Sequence, residues 1–298
     1  MSFKQLCHSD WGKDPKKRWM CRAKLSGNKW MVSAPELVGE TKTFFNRISD
    51  DTHTLFGFDF PIGFPKAYAQ SIGCETYRNV LETINDPSWE DWFKVCEDKS
   101  EISKHRPFYP YKPGGTKHIH LTQAHGVPDM QSLHRQCEII SNAGSMFWTL
   151  GGKQVGKGMI TGLEELILPN LDDISIWPFD GPLSDLEKLN KPVICETYPG
   201  AAYEMIGINR QHLSKTNQEA RKQTIPAITK WHKNRTVKFD EGLLELIENG
   251  FGSQKDGEDR FDALLGLIKM IDVASGHIPE RTKSLPDIEV EGWILGLI

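Results

Sequence analysis

The chain has no long apolar run. Its purest apolar stretches are pieces such as Leu264–Ile268, far short of the roughly 20 residues that cross a bilayer, so no membrane partner is expected. The opening MSFKQLCHSDWGK carries no apolar core of secretory length, and the expectation is a soluble, cytoplasmic protein. Cysteine is sparse and scattered: Cys7, Cys21, Cys74, Cys96, Cys137 and Cys195 form no CxxC pair. That spacing argues against a disulfide scaffold and a structural zinc ribbon. Internal repeats and low-complexity tracts are missing too. With 38% hydrophobic, 26% charged and 10% aromatic residues, a disordered, collagen-like or coiled-coil chain is excluded. A strong net charge is also lacking, at −4 overall.

What is present is a globular chain of 298 residues, long enough to bury about three quarters of its unfolded surface. It reads as a single domain over 1–298. Its charge is unevenly spread. Residues 99–135 carry six Lys/Arg against two acids, residues 209–238 carry eight against Glu219 alone, and the remainder sums to −15. Such blocks suit a polyanion-facing surface, or simply solvated helix faces, on an otherwise acidic protein.

The first sixty residues predict β-β-β-α-β. Strands are expected at 4–10, about 18–25 and about 29–34, then a helix from Glu36 to Ile48, then a doubly buried strand over 55–60 broken by Pro61. Residues 73–190, rich in Pro, Gly, His and aromatics, read as a large insertion or cap, with helices near 86–97 and 129–142. A second buried strand is expected at 192–198. Helices follow near 200–206, 214–232, 240–249 and 258–275, the last with Phe261, Leu264, Leu265, Ile268 and Ile271 in one stripe. The fold class is α/β, a mixed sheet flanked by helices.

Three of these strands end in an acid before a Gly or Pro break: Asp10, Asp59 and Glu196. Sites in open α/β sheets form outside the carboxyl ends of strands. Asp259 and Asp262 lie i, i+3 at the start of the last helix and share one face, which Gly266 is expected to keep open. Clustered carboxylates repel unless protonated or neutralised by cations. Oxygen-only ligands suit Mg²⁺ or Mn²⁺, and two such ions about 4 Å apart clamp both oxygens of a phosphoryl displacement. Taken singly, each acid also has an ordinary reading as a turn, a cap or a helix-dipole partner.

Beyond these acids, the chain resembles a known family. The β-β-β-α-β start with acids on its first and fourth strands is similar to the ribonuclease-H fold. The stretches SDWGKDP, FGFDFPIGFP, RPFYP, WTLGGKQVGK, WPFDGPL, CETYPGAAYEMIG, GEDRFDALLGL and EGWILG resemble the ribonuclease-H-like nucleases grouped as domain of unknown function 429. The resemblance covers nearly the whole chain. It implies a nuclease-type site from Asp10, Asp59, Glu196 and Asp262, with Asp259 nearby, holding one or two Mg²⁺ or Mn²⁺ ions and cutting a nucleic acid.

Other signals are lesser. GGKQVGKG mimics a phosphate loop, but Gly158 stands where a Ser/Thr hydroxyl is needed and no amphipathic helix is expected after it. Lys153 and Lys157 are candidate phosphate contacts there, and a plain surface turn is the alternative. His105 to His134 holds five histidines, yet no Cys or carboxylate completes a zinc spacing. Phe108, Tyr109 and Tyr111 beside Lys104, Arg106 and Lys112 have the composition of a base-stacking strip or of a packed aromatic loop. Arg210, Lys215, Arg221 and Lys222 are candidate backbone contacts. Two alternatives remain beside a nuclease. One is an actin-like-fold phosphotransferase, for which the first and fourth strands supply only single glycines. The other is a non-catalytic nucleic-acid-binding or interaction protein.

Overall fold

The computed structural model describes residues 3–49, 53–151, 155–209 and 213–298. Its strands are β1 (Gln5–Asp10), β2 (Trp19–Ser26), β3 (Lys29–Val32), β4 (Glu36–Leu37), β5 (Thr54–Phe58), β6 (Ser175–Ile176), β7 (Val193–Glu196) and β8 (Val237–Phe239). They form one eight-stranded mixed sheet in the order β6-β7-β5-β1-β2-β3-β8, with β4 also on β2. β1, β2 and β3 meander antiparallel, while β5 joins β1 in parallel and β7 joins β5 in parallel. Gly27, at φ 62°, makes the two-residue turn between β2 and β3 that a side chain would strain. The protein is α/β, and among the described residues no helix is long and apolar enough to cross a membrane.

Alternation along the strands sends side chains to two cores. On one face, Leu6, Leu55, Val193 and Cys195 pack with the long helix Gly257–Ala274. On the other, Cys7, Phe56, Phe58 and Ile194 pack with Phe44, Tyr77, Trp92, Phe108, Phe147 and Met159. The aromatic middle segment therefore forms the second layer over the sheet and lends it β6 as an edge strand. The long helix is buried all round from Phe261 to Ala274, not along a single stripe.

Several expected elements differ. The helix foreseen over 36–48 is shortened to Phe44–Ser49, because Glu36 and Leu37 pair with β2 and Gly39 turns the chain at φ 73°. The 214–232 helix splits into Gln218–Lys222 and Ile225–Lys233, since Pro226 lacks the N–H that would carry a continuous helix. The 86–97 helix is a run of 3-10 turns over Pro87–Phe93, preceded by an unforeseen helix at Tyr77–Ile84. The 129–142 helix is a 3-10 turn and then Gln136–Ser141. A helix begins within the GGKQVGKG segment, over Gly156–Gly162. Its glycines are packing devices: a Cβ on Gly162 would meet the Phe60 ring at 2.4 Å, and one on Gly158 would stand 3.3 Å from the Trp11 carbonyl.

Candidate active site

Asp10 ends β1 and Asp59 directly follows β5. The parallel register pairs Ser9 with Phe58, so these two acids come side by side at the carboxyl edge of the sheet. The Trp11 N–H donates to Asp59 Oδ1 at 2.6 Å, and the two carboxyl groups are hydrogen-bonded to each other. Opposite them, the first turns of the long helix bring Asp259 and Asp262. Asp262 is 5% exposed. Its Oδ1 accepts from the Tyr203 hydroxyl and its Oδ2 from the Lys215 ammonium.

Burial dominates the electrostatics, and crowding by like charges adds to it. Burial, and then the charges of Asp59, Asp262 and Asp259, raise the Asp10 pKa well above the usual carboxylate range. Burial also pushes Asp59 up to about 6, against the hydrogen bonds from Asp10 and Trp11 that favour its ionised form. Asp259 is likewise raised to about 6, by burial and then by Glu258 and Asp262. Lys215 is the counterweight: burial opposes its charge, but Asp262, Asp10 and Glu258 outweigh that and raise its pKa. An oxygen-only donor set under mutual repulsion is the chemistry that hard divalent cations relieve. With Lys215 seated on Asp262, no group of three or more His, Cys, Asp or Glu among the described residues is arranged to hold a metal ion. The donor types fit Mg²⁺ or Mn²⁺, and Lys215 is paired with one oxygen of Asp262.

Glu196 is set apart from this cluster. It pairs in register with Phe58, one residue short of Asp59, so its side chain leaves the sheet on the opposite face. There Arg135, fully buried, grips it with Nη1–Oε2 and Nη2–Oε1 contacts of 2.7 Å each, and the Ile62 N–H donates to Oε2 at 2.7 Å. Arg135 Nε also donates to Glu138 Oε1 at 3.0 Å. Glu196 thus has its own buried cation. It still lines, with Asp59, Asp262, Lys215, Tyr198 and Tyr203, a cavity of about 320 Å³ at the strand ends.

The remaining candidates divide. Arg221 is buried, and its guanidinium is spent on the carbonyls of Gly250, Gly252 and Lys215, at 2.8 Å for Gly250 and 2.5 Å for Lys215. Lys222 pairs with Glu219 at 2.8 Å, and Arg106 with Glu101 at 2.9 Å. Lys157 lines a second cavity, of about 410 Å³, with Lys13, Arg106 and Tyr111. Lys153 and Arg210 lie outside the described residues. Phe108 and Tyr109 are core residues, whereas Tyr111 is 49% exposed. The histidines are dispersed on aromatic partners, His118 on Trp148 and His125 on Phe147. Gly266 does not open the acid face. It makes room for the buried His8 ring, whose Nδ1 lies 3.0 Å from the Ala263 carbonyl.

Arg135, Tyr203 and Trp11 escaped the sequence reading. Trp11 alone had a signal, its adjacency to Asp10; nothing local marks the other two as partners of Glu196 and Asp262. No family model, no curated protein and no solved structure matches the chain.

Proposed function

We propose that this chain is a metal-dependent nuclease built on a ribonuclease-H-like sheet, hydrolysing phosphodiester bonds of a nucleic acid. The fold-level support is the antiparallel β1-β2-β3 meander with β5 and then β7 added in parallel beside β1. Fold alone does not fix activity. The observation that carries the reading is the mutual repulsion of Asp10, Asp59, Asp259 and Asp262 at one strand-end site. Held by Asp10, Asp59 and Asp262, Mg²⁺ or Mn²⁺ would supply activation of water and charge neutralisation at the phosphate.

The chain's own residues do the positioning. Trp11 fixes Asp59 through its backbone N–H. Tyr203 holds one oxygen of Asp262 and Lys215 the other, and release of Lys215 places a mobile cation beside the substrate phosphate. Asp259, farther along the helix toward solvent, serves as an outer acid that orients rather than ligates. Glu196 and Arg135 neutralise each other and form a rigid wall of the cavity.

The test is cleavage of labelled single- and double-stranded DNA and RNA with Mg²⁺, Mn²⁺ or EDTA. Metal-dependent cutting that disappears in Asp10→Asn and Asp262→Asn is expected. Equal cutting by the variants, or none by the wild type with either ion, overturns the reading.

A further inference from the structure

A second cavity, of about 410 Å³, is lined by residues that include Lys13, Arg106, Tyr111, Lys157, Thr161 and Glu164. Its walls are the β1–β2 loop, the Gly156–Gly162 helix with the turn after it, and the 93–111 segment that carries Arg106 and Tyr111. Trp11 ties it to the acids: its N–H holds Asp59, and its indole Nε1–H donates to Thr161 Oγ1 at 3.1 Å. Lys13 follows Asp10 by three residues, so at most about 11 Å of chain separates them.

The loop is built to stay in place. Arg18, fully buried, donates from Nε to the Gly12 carbonyl at 2.7 Å and from Nη2 to the Lys13 carbonyl at 3.3 Å. Its guanidinium also lies 4.1 Å from the Trp11 ring and is paired with Glu165 on the π-helical turn Leu163–Ile167. One buried cation therefore locks the loop that carries Lys13 to the segment that follows Lys157.

Within this groove Arg106 is committed to Glu101, but neither Lys13 nor Lys157 has a carboxylate partner among the described residues. Both lysines line the same cavity, and burial, with the charge of Lys13 added to it, pushes the Lys157 pKa down. Of the two acids that line the groove, Glu97 is paired with Lys112 and Glu164 forms no ion pair with either lysine among the described residues. Two unpaired cations beside an exposed tyrosine ring match a backbone with an unstacked base.

We propose that this groove binds the phosphodiester backbone of a single-stranded nucleic acid, Lys13 and Lys157 taking neighbouring phosphates and Tyr111 stacking on a base. The inference rests on the nuclease reading for its substrate class and adds the strand's path and strandedness. The test is fluorescence anisotropy of the full chain with labelled single-stranded and duplex DNA and RNA in EDTA, across a salt series.

Lys13→Glu/Lys157→Glu should weaken single-strand binding at least tenfold. It should also flatten the salt slope by about 1.4, the value for two lost phosphate contacts on a single strand. Tyr111→Ala should weaken binding about tenfold with the slope unchanged. Lys188→Gln, at a surface lysine paired with Asp185, should change neither. Unaltered binding by the double lysine variant, binding of duplex only, or no binding by the wild type overturns the groove. Loss of cleavage with intact, lysine-dependent binding overturns the nuclease reading and leaves the groove standing.

Discussion

Asparagine at position 59 keeps the oxygen that accepts from the Trp11 N–H at 2.6 Å and removes the charge. In the folded protein Asp59 titrates at about 6 instead of the ordinary 3.8, a difference of about 3 kcal/mol if fully expressed. Asp59 is half-buried, and solvent screening trims that to about 2 kcal/mol. The sign follows from the raised value. The protonated carboxyl stabilises the fold fully below pH 3.8, and this contribution is lost as pH rises through about 6. At pH 8 the wild type has lost it, whereas the Asn variant never depended on it. Asp59→Asn should therefore be more stable than wild type at pH 8, by about 2 kcal/mol or about 4 °C in Tm, and equal to it near pH 4. His8 and His125, both lowered to about 4 by burial, act in the opposite direction over part of this window. They are present in both proteins and cancel in the difference. Urea denaturation in EDTA at pH 4, 6 and 8 measures it. A destabilised variant, or a gain independent of pH, would refute the buried, crowded carboxyl on which the candidate site rests.

Two further substitutions probe the surroundings of that site. Glu196→Gln removes one of the two carboxylates on the buried Arg135, leaving Glu138, and should cost about 3 kcal/mol, opposite in sign to Asp59→Asn; denaturation within about 0.5 kcal/mol of wild type would mean the pair is not essential to the fold. Gly266→Ala places a Cβ 2.1 Å from the His8 ring and should lower stability by about 1–3 kcal/mol; a melt unchanged from wild type would show that the helix can shift away from β1.

The strand ends were readable because a buried strand followed by Gly or Pro is a strong local signal, and the parallel pairing of β1 with β5 then brings Asp10 to Asp59. The same logic, carried one step further, would have separated Glu196. Its place depends on whether it is level with Phe58 or with Asp59, and that single-residue register is set by pairing across the sheet, not by its neighbours in sequence. Long-range partners account for the other differences. Arg221 looks like any basic helix residue until the carbonyls of Gly250 and Gly252 are seen to take its guanidinium. Gly266 suggests an open face until His8 fills the space. The 237–239 strand is too short to announce itself and exists because β3 offers it an edge.

The long helix has a consequence for how the protein comes into being. His8 meets Ala263 across 255 positions of chain, and Asp262 stands just beside that contact. The meander and β5 can pair as soon as they are synthesised, which gives Asp10 and Asp59 their places on an otherwise open sheet face. The acids opposite them arrive only with the helix that also seals the core, a step delayed by its sequence distance. Completion of the core and completion of the acid cluster are one event. A nascent or partly folded chain therefore carries only Asp10 and Asp59 of the acid cluster, and the four carboxylates meet only when the molecule is whole.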